Sequence, residues 1–125
     1  MNEATCKAAL CKELRARLDP ARSRVYRHED QFTAGIPDIS ITANERTVWV
    51  EVKLNRPGRR GKVTELQRAA LLALGGLLLT FEEGKDGTFS ARLETPLALG
   101  GPVFESRKKS VVYREVAGWL LGRVA

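Results

Sequence analysis

The chain is poor in the side chains from which small metal and redox sites are usually built: it has two cysteines and one histidine in 125 residues. Cys6 and Cys11 fall in one helical-looking segment. At that spacing a helix holds their Cα atoms farther apart than the roughly 7 Å limit for a disulfide. With His28 the only histidine, no Cys/His zinc site can be assembled, and both cysteines are expected as small buried hydrophobes. No apolar run approaches the roughly 20 residues that a membrane helix needs. The opening MNEATCKAALCKEL is too polar for a secretory signal, so a cytosolic protein with no membrane partner is expected. Internal repeats and low-complexity tails are lacking as well.

What is present is positive charge. Lys and Arg number 21 against 15 Asp and Glu, a net +6, with a pI near 9.7. A basic surface favours a polyanionic partner, because neutralising phosphates releases condensed counterions. The apolar share of 43% and the charged share of 29% are those of an ordinary soluble globular protein. One domain is expected, large enough to bury a core.

Asn2 can cap a first helix running to about Leu18, stopped by Asp19-Pro20. Cys6, Leu10, Leu14 and Leu18 recur on one stripe, with Glu13 at its border. A short strand over Arg24–Arg27 is followed by a loop, HEDQFTAG. Asp38–Thr42 and Thr47–Leu54 both alternate, separated by a turn at Asn44-Glu45-Arg46, and predict a β-hairpin. NRPGRRGK is a Gly/Pro loop carrying four cationic residues. A second helix runs from Thr64 to the Gly75-Gly76 stop. Leu77–Phe81 and Thr88–Leu93 read as strands around the turn EEGKDG, and a last helix covers about Ser110–Gly122. The order is α-β-β-β-α-β-β-α, a mixed α/β sheet flanked by helices.

The hairpin register follows from its apolar face. A turn centred on Asn44-Glu45 pairs Ile39 with Val50 and Ile41 with Val48, and the same register sets Asp38 opposite Glu51, with Lys53 two residues further on the same face. A slip by one residue would break the apolar match, so the core enforces the cluster. Such charges can simply line a solvated face, with Lys53 in a surface pair worth under about 1 kcal/mol. Against that stand Trp49 on the same face and the helices expected over both sides of the sheet. Two carboxylates so placed repel unless a cation lies between them, and oxygen ligands of this kind suit Mg²⁺ or Mn²⁺.

Pro37-Asp38, a gap, then Glu51-Val52-Lys53 resembles the PD-(D/E)XK nuclease signature. The wider run of GIPD after a polar loop, VEVK on the next strand and Gln67 early in the following helix is similar to the VRR-NUC domain. That domain is found alone in phages and at the C-terminus of Fanconi-associated nuclease. The likeness runs from roughly Cys6 to Leu93, leaving about 95–125 as a C-terminal extension. A long basic loop between Lys53 and Gln67 also departs from the pattern.

The resemblance implies a restriction-endonuclease-like core and a metal-dependent DNA endonuclease in a phage or bacterial host cytosol. Asp38 and Glu51 would bind Mg²⁺ or Mn²⁺ with the backbone carbonyl of Val52, and Lys53 would orient the attacking water. Gln67 would support the site from its helix, although Thr64-x-x-Gln67 is equally a capping box. The first-helix acid would be Glu13, which can instead pair with Arg17 one turn on. His28 reads as a loop residue rather than a catalyst. Arg56, Arg59, Arg60 and Lys62, with Arg107, Lys108 and Lys109, are the expected DNA contacts, gripping phosphates rather than reading bases. Branched DNA such as four-way junctions is the expected substrate, with a flap nuclease or a catalytically silent DNA-binding module as alternatives. The apolar stripe Val112, Val116, Trp119, Leu120 of the last helix can simply pack on its own sheet, the commoner fate of such a stripe, but is expected at a homodimer interface.

Overall fold

The computed structural model describes residues 1–29, 35–97 and 100–125. Helix α1 (Glu3–Arg17) begins where Asn2 Oδ1 accepts from the Thr5 N–H at 2.9 Å. Glu3 lies in its first turn and Arg15 and Arg17 in its last, charges that complement the helix dipole. It buries Cys6, Leu10, Cys11 and Leu14, and Leu18 just past its end packs on the same cluster. Both thiols are free, and burial raises their proton affinity, so they stay neutral.

Strands β1 (Ser23–Arg27), β2 (Ile39–Ala43) and β3 (Arg46–Asn55) follow. Of the expected loop HEDQFTAG, residues 30–34 lie outside the described residues. β2 and β3 form the expected hairpin, with Ile39 opposite Val50 and Ile41 opposite Val48. Asn44 and Glu45 take positive φ, 53° and 62°, the signature of the two-residue turn whose twist matches the strands it joins. Helix α2 (Glu65–Leu74) carries the chain to β4 (Leu77–Glu83), which lies parallel to β3; a parallel neighbour needs such a crossover. Gly75, with φ of 63°, closes α2 in the left-handed conformation. β5 (Phe89–Glu94) and β6 (Val103–Ser106) add antiparallel strands, and α3 (Lys109–Gly122) follows.

The six strands lie in chain order in one mixed sheet, so the expected mixed α/β class stands. The element order is corrected to α-β-β-β-α-β-β-β-α by β6. That strand has four residues, alternately exposed and half-buried, and pairs only with β5. So little burial leaves almost no apolar period in VFES to read.

α1 and α3 cover one face of the sheet, over Ile39, Val50, Val52, Leu79 and Phe81, while α2 packs against β3 on the other. Five strand spacings of about 4.8 Å make the sheet about 24 Å across, more than twice the roughly 10 Å diameter of a helix. α1 cannot cover that face alone, and α3 completes it: Val112, Val116 and Leu120 are fully buried, and Trp119 is half-buried against the same cluster. Within the C-terminal extension α3 belongs to this core, and the chain is tied down beyond it where Asn44 Nδ2 donates to the Val124 carbonyl at 2.7 Å. Of the α3 stripe, Val112, Val116 and Leu120 thus pack on their own sheet. Among the described residues no helix is long and apolar enough to cross a membrane.

Candidate active site

β3 runs on past the start of β2 at Ile39, and Asp38 fills the gap. Its Oδ2 accepts from the Val52 N–H at 2.8 Å, where a ladder partner would otherwise sit. In a strand, the N–H and C=O of one residue point to the same neighbour. The Val52 carbonyl therefore also lies on the Asp38 side of β3. Asp38 is held from two further directions: its carbonyl accepts from the His28 N–H at 2.8 Å, and its Oδ1 lies 3.4 Å from Lys7 Nζ on α1.

The period of two puts Glu51 and Lys53 on the face opposite the core, yet Glu51 is only 1% exposed and Lys53 8%. Lys53 Nζ stands 3.2 Å from Glu51 Oε2. Glu51 Oε1 is buried with no hydrogen-bond partner among the described residues, and Asp38 beside it, when ionised, is an acceptor too. Burial above all, and then the negative charge of Asp38, push the Glu51 carboxyl up to about 7, against the pull of Lys53. A buried carboxyl with an orphaned oxygen and a raised proton affinity is a fitting place for an incoming cation. The available donors are the two carboxylates and the Val52 carbonyl, all oxygens, as Mg²⁺ and Mn²⁺ prefer. Among the described residues no group of three or more His, Cys, Asp or Glu side chains is placed to hold a metal ion.

Asp38, Glu51, Val52 and Lys53 are thus brought together. Gln67 is engaged at the helix end: its Oε1 accepts from the Thr64 N–H at 3.0 Å while Thr64 Oγ1 accepts from the Gln67 N–H at 3.1 Å. Of its two competing roles, the structure displays the cap. Glu13 pairs with Arg17 at 3.4 Å. It lies six residues beyond Lys7, about 9 Å along the helix and a third of a turn away from the face that meets Asp38. The α1 acid on the cluster's side is Glu3, one turn before Lys7. Its Oε1 lies 3.4 Å from where a Cβ on Gly61 would stand, and that position is 3.2 Å from Lys53 Cβ. Gly61 lets the basic loop close over Lys53, with its N–H donating to Asn55 Oδ1 at 2.9 Å.

The loop's Arg56, Arg59 and Arg60 line two open clefts of about 490 and 470 Å³ on either side of it, the first shared with Glu83 and Lys85, the second with Glu3 and Lys7. Lys62 is exposed just beyond. Arg107, Lys108 and Lys109 are exposed at the start of α3, and Lys109 Nζ reaches to 3.8 Å from Glu83 on the wall of the first cleft. Sequence reasoning missed Glu3, Lys7 and Lys85. Glu3 and Lys7 share a helix face at a spacing of four, the one local signal available. No protein-family model matches this chain, and no curated protein matches it.

Proposed function

We propose that this protein is a divalent-metal-dependent deoxyribonuclease on a restriction-endonuclease-like core, hydrolysing phosphodiester bonds in DNA selected by shape. The observation that carries this reading is the convergence of Asp38, Glu51 and Lys53 at one end of β3, with Glu51 Oε1 buried and unpartnered. Asp38, Glu51 and the Val52 carbonyl would hold Mg²⁺ or Mn²⁺. Such an ion supplies Lewis-acid polarisation of a phosphoryl oxygen and a more acidic bound water. Lys53 presents a compact ammonium on a flexible stem, suited to orienting a water or a non-bridging oxygen. Lys7 holds Asp38 in place. Arg56, Arg59, Arg60 and Lys62, with Arg107, Lys108 and Lys109, grip backbone phosphates and carry no sequence information. Branched DNA, four-way junctions or flaps, is accordingly the substrate class to test first.

The test is cleavage of labelled duplex, flap and four-way-junction DNA in Mg²⁺, Mn²⁺ or EDTA. Asp38→Asn should abolish cleavage and keep DNA binding, since the basic loops supply that affinity. Full activity of Asp38→Asn, or of the unmodified protein in EDTA, refutes the site. A catalytically silent DNA-binding module is a second reading, favoured by the lack of a three-residue metal cluster among the described residues. It requires that DNA be bound in every buffer and cut in none.

A further inference from the structure

Three rings lie beside the acidic cluster, and nothing in the hydrolytic site uses them. Tyr26, Ser40 and Trp49 are paired directly across β1, β2 and β3, so their side chains share a face. His28, Asp38 and Glu51 each lie two residues further along and share it too. The His28 ring stands 5.2 Å from Trp49 at 32° and 6.2 Å from Tyr26 at 49°. His28 Nε2 lies 2.7 Å from Ser40 Oγ, a hydrogen bond that fixes the ring. This is the face opposite the hydrophobic core; α2 packs there against β3, while Tyr26, on the edge strand, remains 53% exposed.

We propose that Tyr26, His28 and Trp49 form a stacking platform for unpaired nucleobases of a single-stranded nucleic acid. The proposal rests on the nuclease reading for its polarity, with bases on the rings and backbone toward Lys53. Arg24, one row beyond Tyr26, is exposed with its guanidinium on the Pro20 and Ser23 carbonyls, and Lys53, paired with Glu51, stands at the other end. A strand laid along this face would draw on these two cations by exchanging those contacts for phosphate. Ring faces accept any base, so the platform selects for unpaired structure rather than sequence. A branched substrate exposes such bases where duplex arms part. Each stacked base contributes on the order of tenfold in affinity when its ring is truncated.

The test uses oligo-dT, oligo-U of equal length and a blunt duplex, all in EDTA so that no strand is cut. The chain has two tryptophans, so a Trp119→Phe background leaves Trp49 as the only reporter. Quenching of Trp49 by either single strand, and not by the duplex, supports the platform; comparing the two strands tells DNA from RNA. Tyr26→Ala should weaken single-strand binding about tenfold and leave duplex binding unchanged, with Tyr26→Phe restoring it. Unquenched Trp49 with both single strands overturns the proposal, as does an equal loss on single strand and duplex. The two readings fail separately. Metal-dependent cleavage of duplex without single-strand quenching removes the platform alone, and quenching without cleavage in Mg²⁺ or Mn²⁺ removes the nuclease alone.

Discussion

Glu51→Gln separates what the buried carboxyl does to the fold from what it does for chemistry. Burial and the neighbouring Asp38 move the Glu51 carboxyl from 4.5 to about 7. Between those values the folded chain keeps a proton that the unfolded chain releases, so stability falls as pH rises through the window. At about 1.4 kcal/mol per pH unit, the move from 4.5 to about 7 amounts to about 3 kcal/mol. Glutamine keeps the shape and does not titrate. In EDTA the unmodified protein should therefore lose about 3 kcal/mol of unfolding free energy between pH 5 and pH 8 relative to Glu51→Gln, whichever of the two is more stable at pH 5. Urea denaturation at each pH measures this, with the slope against urea as the check that both unfold alike. Titrating groups remote from Glu51 cancel in the difference. Mg²⁺ or Mn²⁺ should then restore the loss at pH 8, by about 2.7 kcal/mol at a hundred times Kd, and should do nothing for Glu51→Gln. Parallel pH curves for the two proteins would refute the argument that this carboxyl is held protonated by burial.

The remaining predictions address the other parts of the site and the core. Lys53→Met keeps the aliphatic stem and should still bind Mn²⁺ by calorimetry while cleavage falls at least about a hundredfold; lost metal binding in the folded variant would make Lys53 a structural partner of Glu51 instead. Replacing Arg56, Arg59 and Arg60 with alanine should weaken binding to every DNA alike and flatten the slope of log affinity against log salt by about 3, roughly 0.9 per phosphate contact. An unchanged slope would put the DNA elsewhere. Leu120→Ala should cost about 2–5 kcal/mol at a Tm independent of protein concentration, whereas an α3 interface between copies would make Tm rise with concentration.

The hairpin was legible because its parity leaves one solution: only the register pairing Ile39 with Val50 buries both apolar sets, and it carries Asp38, Glu51 and Lys53 together. Local spacing failed where the deciding contact was long-range. The stripe Cys6, Leu10, Leu14 shows which face of α1 is buried, but not which end of the helix meets the active end of β3. The contact that decides it, Lys7 with Asp38, joins residues 31 apart. Spacing pointed to Glu13, at the border of that stripe, and gave no signal for Glu3, which is the acid on the cluster's side. The capping box at Thr64 and Gln67 is readable from spacing, yet only coordinates show which role the glutamine side chain fills. The place of α3 was not readable from its own stripe, because the sheet face that receives Val112, Val116 and Leu120 is assembled from strands distant in sequence.

The charge balance of the cluster accounts for how two carboxylates stand side by side in this fold. Two carboxylates side by side would repel by several kcal/mol in a poorly solvated setting. Here each has its own ammonium, Lys7 at 3.4 Å from Asp38 and Lys53 at 3.2 Å from Glu51. The four groups sum to zero with both carboxyls ionised and to +1 when Glu51 keeps its proton. The two lysines come from different elements, so the balance depends on α1 docking against the end of β3, and the site forms only as the fold closes. Under the proposed reading, Asp38 and Glu51 would hold the divalent ion, whose charge would replace that of the two lysines and leave Lys7 and Lys53 able to turn to a negatively charged ligand. On that reading, a bound divalent ion would leave the cluster at +2, against zero or +1 without it, and so would favour a phosphate ligand when the metal is present.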